Sequence, residues 1–71
     1  MRFSHKEARR IGNLLGVDWD KVNFDEFRTG LGVEWEHKDT VGGKKDVVGR
    51  IVLDHLEEDS RYYTKLSRVG L

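Results

Sequence analysis

The apolar positions of this chain recur at three and four residues, the period of a helix buried along one face. Ser4-His-Lys-Glu7 opens the first such stretch as a capping box: the Ser4 hydroxyl and the Glu7 carboxylate each suit an orphan backbone N–H, and Phe3 is placed as the staple. Ala8, Ile11, Leu14 and Leu15 then share one stripe, with Gly12 beside them where a second helix could approach closely and Gly16 as the C-terminal stop. Val17 to Val22 reads as a connector whose Trp19 and Val22 drop into the core. Asn23-Phe-Asp-Glu26 repeats the capping logic with Asn as N-cap. Phe24, Phe27, Leu31 and Trp35 continue as a helical stripe to about His37. Gly30 and Gly32 inside it each cost roughly 1 kcal/mol against alanine, which points to close packing or a kink.

Lys38 to Lys45, centred on Val41-Gly-Gly-Lys-Lys45, has no periodicity and is expected to be a loop. Its flanks alternate too poorly to favour a hairpin. Asp46 is a candidate cap for a third helix, in which Val47, Val48, Ile51, Val52, His55 and Leu56 form one apolar arc. Asp59 or Ser60 could cap a short last helix carrying Tyr62, Leu66 and Val69 on one side, with Tyr63 nearby and Gly70 at its end. The expected fold is all-α: a compact bundle of about four short helices, one Gly/Lys-rich loop between the second and third, and a single domain over residues 1–71.

Composition narrows the chemistry. Seventy-one residues sit near the size at which one apolar core barely outweighs chain entropy. The absence of cysteine removes disulfides, zinc-thiolate sites, iron–sulfur clusters and thiol nucleophiles, and it suits a cytoplasmic location. Apolar runs such as Ile51-Val-Leu53 fall far short of the roughly twenty residues that cross a bilayer, so neither a membrane span nor a signal peptide is expected. Thirteen basic residues balance thirteen acidic ones, so no global field draws the chain to nucleic acid or anionic lipid. Charged residues make up 37% of the chain, but they are mixed in sign and interleaved with the apolar period, which favours folding over disorder.

Val33-Glu-Trp-Glu-His37 and the segment from Gly49-Arg-Ile-Val-Leu-Asp-His55 through Tyr62-Tyr-Thr-Lys-Leu66 resemble a family of small bacterial and phage proteins that carry a domain of unknown function. Phe3-Ser4, Ala8 to Gly12, Leu15 to Trp19 and Glu26 to Leu31 fit the same pattern, so the resemblance covers most of the chain. It implies a short stand-alone protein of phage or prophage origin, with no assigned activity or cofactor. The family's central loop is longer and richer in Asn, Thr and Asp than Thr40 to Lys45 here, so no role carried by that loop's carboxylates transfers.

Three candidate sites emerge from the residues. Glu34 and His37 on the flank of the second helix, with His55 near the middle of the third helix's arc and Glu58 at its edge, could converge on a divalent metal such as Zn, Mn or Fe. The plainer reading needs no cofactor: His55 is a core histidine and Glu34 its natural partner. Lys44, Lys45, Arg61, Lys65 and Arg68, with Arg9 and Arg10, could contact nucleic-acid phosphates, though the balanced charge favours a solvated surface. Trp35, Leu53, Tyr62 and Tyr63, with Val33, are interface residue types or outward-pointing apolar side chains that fit a protein partner or self-association.

Catalysis is disfavoured. Ser4, Ser60 and Ser67 lack an elbow or a matched His-Asp order, and Gly42-Gly-Lys-Lys45 lacks the spacing of a phosphate loop. A protein-interaction or structural module is therefore the leading expectation from the sequence.

Overall fold

The structure is a computed structural model that describes residues 3–36 and 44–69. Its elements are α1 (His5–Leu14), α2 (Phe24–Trp35), α3 (Lys45–Glu58) and α4 (Tyr62–Arg68), and no strand occurs among the described residues. The all-α bundle expected from the periodicity is what forms. Residues 38–43 of the expected loop, His37 and Gly70 lie outside the described residues.

Local chemistry sets the helix ends. Ser4 Oγ accepts from the Glu7 N–H at 3.1 Å and Asn23 Oδ1 from the Glu26 N–H at 3.0 Å, so both expected N-caps form. Neither box closes with its glutamate: the Glu7 carboxylate goes to Arg10 and Lys45, and that of Glu26 goes to Thr64. After α1, the Val17 N–H reaches the Gly12 carbonyl at 2.9 Å and the Gly16 N–H the Asn13 carbonyl at 3.1 Å. This is a Schellman stop, which requires the left-handed φ of +75° that glycine adopts at Gly16.

Two boundaries differ from the sequence reading. α3 starts at Lys45 with Lys44 as an N-cap that makes no side-chain hydrogen bond; Asp46 sits in the first turn, where its charge suits the helix dipole. The cap residue before α4 is Arg61, and Asp59 acts one step earlier, its Oδ1 accepting from the Arg61 N–H at 3.0 Å.

α2 is the central element, packing against α1, α3 and α4. The core is Phe3, Ala8, Ile11, Phe27, Leu31, Val48, Val52, Leu56 and Tyr63, joined at its margin by Leu15, Trp19, Phe24, Trp35 and others. At Gly12 the close neighbour is not a helix backbone but the Trp19 indole, whose ring occupies the space a Cβ would need. Its Nε1 donates to Asn13 Oδ1 at 2.8 Å, while Arg9 lies 5.0 Å from the Trp19 ring centre and 4.2 Å from that of Phe24. The connector thus folds back on α1. Phe3 meets Trp35 edge-on at 5.8 Å, and the Arg28 Nε donates to the Phe3 carbonyl at 2.6 Å, which ties the amino-terminal segment to α2.

Two apolar residues expected on buried stripes are instead exposed. Leu14 is 71% and Val69 70% exposed. At roughly 100° per residue, Leu14 lies about 110° from the centre of the arc made by Ala8, Ile11, Gly12 and Leu15, so it turns off the buried face. Val69 follows the last helical residue and no longer shares the face of α4.

Candidate functional site

Two polar clusters and one groove concentrate this chain's chemistry. The first cluster joins α2, α3 and α4. Tyr63 enters the core opposite Gly30, where an added Cβ would stand 2.5 Å from Tyr63 Cε2 and 2.7 Å from Val52 Cγ1, so only glycine leaves room for the ring. The Tyr63 hydroxyl donates to Glu34 Oε2 at 2.9 Å, and His55 Nε2 stands 3.6 Å from the same oxygen. The His55 ring stacks on Tyr62 at 4.4 Å with an interplanar angle of 5°. Burial, and then the hydrogen bond to the Glu34 carboxylate, push the Tyr63 hydroxyl above the ordinary phenol range.

The expected pairing of His55 with Glu34 is present, but its burial is reversed. The Glu34 side chain is 15% exposed and that of His55 32%. The physical reason is angular. Glu34 falls near the centre of the α2 face built from Glu26, Phe27, Gly30 and Leu31, whereas the α3 face is centred between Val52 and Leu56 and leaves His55 at its edge.

The second cluster is the buried Glu26 carboxylate, which accepts the Thr64 backbone N–H at 3.2 Å and also the Thr64 hydroxyl. Together Glu26 and Glu34 hold α4 against α2 through polar contacts to the consecutive residues Thr64 and Tyr63. Sequence reasoning missed this role of Glu26, because a capping box explains a glutamate three residues after Asn23 equally well.

The groove lies between the carboxyl-terminal half of α1 and the start of α3. It has a volume of about 410 Å³ and is lined by Arg10, Ile11, Leu14, Lys44, Lys45 and Asp46. Glu7 bridges its two sides: the Arg10 Nη2 donates to Glu7 Oε1 at 3.1 Å, the Arg10 Nε to Oε2 at 3.2 Å, and the Lys45 Nζ to Oε1 at 2.8 Å. Hydrogen bonds from Arg10 and then Lys45 hold the Glu7 carboxyl down to about 2, from an ordinary value of 4.5. The sequence signal for this groove is the angular offset of Leu14 from the centre of the α1 stripe.

Among the described residues no group of three or more His, Asp or Glu is placed to hold a metal. Glu34 and His55 come together, Glu58 is exposed at the end of α3, and His37 lies outside the described residues. Of the interface candidates, Tyr63 is 1% exposed and belongs to the core, while Trp35, Leu53, Tyr62 and Val33 pack against it partly buried. Leu53 and Val33 therefore do not project outward as expected; both flank the buried faces of their helices. Of the cations, Lys65 pairs with Asp59 at 2.7 Å, and Lys45 pairs with Glu7. Lys44 and Lys45 line the groove with Arg10, whereas Arg61, Lys65 and Arg68 are not among its lining residues.

No described helix is long and apolar enough to cross a membrane. Neither a curated protein nor a solved structure matches the chain. A family model does, over residues 8–70, and the chain therefore belongs to the family described as protein of unknown function (DUF5661).

Proposed function

We propose that this chain is a protein-interaction module whose docking face is the groove between α1 and α3. The observation that carries the reading is Leu14: a large apolar side chain, 71% exposed, that lines a concave surface instead of standing alone on a convex one. Solvating that side chain beside a cavity is a cost that docking of another chain removes. Val69, comparably exposed, is not among the residues lining the groove.

Selection of binders from an unbiased peptide library, run in parallel on the wild-type chain and on Leu14→Asp, tests this. The reading expects a consensus that the wild type retains and Leu14→Asp loses, with the variant's helical content unchanged because the site is exposed. Binders that ignore Leu14→Asp would sink the groove as the docking face. Light scattering on the same samples separates a foreign partner from self-association.

A second reading, divalent-metal binding, draws on Glu34 and His55. Their separation of 3.6 Å is close to that of two ligands about 2 Å from one zinc in a tetrahedral site. It ranks below the first because Tyr63 already donates to that carboxylate oxygen. Calorimetry with zinc or manganese tests it: a one-to-one heat that vanishes in His55→Ala supports the site, and no heat removes it. A nucleic-acid role ranks lower still, since the charge of the whole chain is balanced and Lys65 is taken up by Asp59.

A further inference from the structure

We propose that the groove between α1 and α3 takes an acidic peptide segment with one large aliphatic or aromatic anchor, the anchor seated against Leu14 and the flanking carboxylates on Arg10, Lys44 and Lys45. This deepens the interaction-module reading and rests on it. The occupant follows from the lining. Leu14 supplies the apolar wall, 71% exposed above the buried Ile11, and a volume of about 410 Å³ accommodates one bulky side chain with its neighbouring backbone. Three of the six lining residues are cationic and one is acidic, in a chain whose totals are equal at thirteen each.

Two of those cations are already in position before a partner arrives. Glu7 draws Arg10 from α1 and Lys45 from α3 onto a single carboxylate, so the side-chain entropy of holding them at the rim is lost on folding and not on binding. Both keep donors to spare. An arginine has five N–H donors and a lysine three, and Glu7 takes two of the former and one of the latter. Asp46 and Glu7 offset part of this charge, so the attraction is short-ranged and belongs to a carboxylate that reaches the spare donors. The charge preference is accordingly about tenfold and not thousands-fold, in line with exposed ion pairs.

Fluorescence anisotropy with the full chain and three labelled peptides tests the proposal: one with a central Leu flanked by Asp and Glu, one with the same Leu flanked by Lys, and one acidic with Ala in place of Leu. The acidic Leu peptide should bind about tenfold more tightly than either control. Its affinity should fall about threefold in Lys44→Glu, fall about tenfold in Leu14→Asp, and weaken with added salt. Far-UV circular dichroism confirms that both exposed variants stay folded. Equal or tighter binding of the Lys-flanked peptide overturns the acidic partner while leaving the module reading intact, provided that Leu14→Asp still weakens it. Displacement by millimolar inorganic phosphate alone would make this a simple anion site and overturn the peptide. Dimerisation that occludes Leu14 would assign the groove to a second copy of the chain and overturn it likewise. Failure of the module reading itself is distinguishable: no peptide from an unbiased library, acidic or otherwise, would then depend on Leu14.

Discussion

Gly30→Ala is the substitution in which the physics of this bundle is most exposed, because two effects of known size oppose each other. In the interior of a helix, alanine is favoured over glycine by about 0.8–1.0 kcal/mol, so α2 alone would gain from the change. The new methyl, however, would stand 2.5 Å from Tyr63 Cε2, 2.7 Å from Val52 Cγ1 and 2.8 Å from Tyr63 Cζ. Neither neighbour can step aside cheaply. Val52 is 0% and Tyr63 1% exposed, and the Tyr63 ring is pinned at its far end by the 2.9 Å bond to Glu34. Overpacking of a fixed core costs about 1–3 kcal/mol, and contacts this short on two immobile neighbours belong at the upper end, about 2–3 kcal/mol, so after the alanine gain packing should win by about 1–2 kcal/mol. For a domain of this size that is a fall of roughly 4–16 °C in melting temperature. Urea unfolding followed by far-UV circular dichroism gives the free energy, and Val52→Ala supplies the second corner of a double-mutant cycle. Removing the Val52 methyls should make Gly30→Ala cheaper by at least about 0.5 kcal/mol. A Gly30→Ala protein as stable as the wild type, or more stable, would refute the close packing of α4 on α2.

Leu31→Ala, at a position 0% exposed in the central helix, should cost about 2–5 kcal/mol by the same urea assay, enough to leave much of so small a domain unfolded; a neutral result would mean the core is centred elsewhere. The Tyr63 hydroxyl titrates above its ordinary value of 10.0, so its stabilisation is complete below that value and is lost as pH rises through the folded pKa. Stability should therefore drop in strong alkali together with tyrosinate absorbance, and Tyr63→Phe should remove that drop. Glu7 titrates near 2 in the folded chain against an ordinary 4.5, so its contribution is present above the unfolded value and lost as pH falls from there towards 2. Glu7→Gln should flatten the acid limb of the stability profile between those values, and an unchanged limb would show that the bridge to Arg10 and Lys45 does not form in solution.

What could be read from sequence divides along the range of the interactions. The caps at Ser4 and Asn23 and the stop at Gly16 are settled within a few residues of themselves, so composition and spacing were enough. The stripes of α2 and α3 were legible for the same reason, since period alone marks a face. What failed was the decision about which edge of a stripe is buried. Leu14 beside the α1 face and His55 near the middle of α3 both look buried from the sequence, because an apolar or aromatic residue near a stripe is placed only when the neighbouring helix fixes the centre of the face. Glu34 and Glu26 failed in the opposite direction. A carboxylate on a helix is expected in solvent, and only the arrival of Tyr63 and Thr64 from about thirty to forty residues away makes its burial favourable. The groove was invisible for both reasons: it needs Leu14 turned outward and Lys45 brought across to Glu7, thirty-eight positions earlier in the chain.

The proposed docking of another chain against Leu14, between α1 and α3, can be located residue by residue. Backbone amide chemical-shift mapping with the tightest peptide from an unbiased selection tests it most directly. Perturbations should concentrate on Arg10 to Leu14 and Lys44 to Asp46, with saturation behaviour that disappears in Leu14→Asp. Perturbations centred on His55, Tyr62 and the α4 face, with Arg10 to Leu14 unmoved, would contradict it.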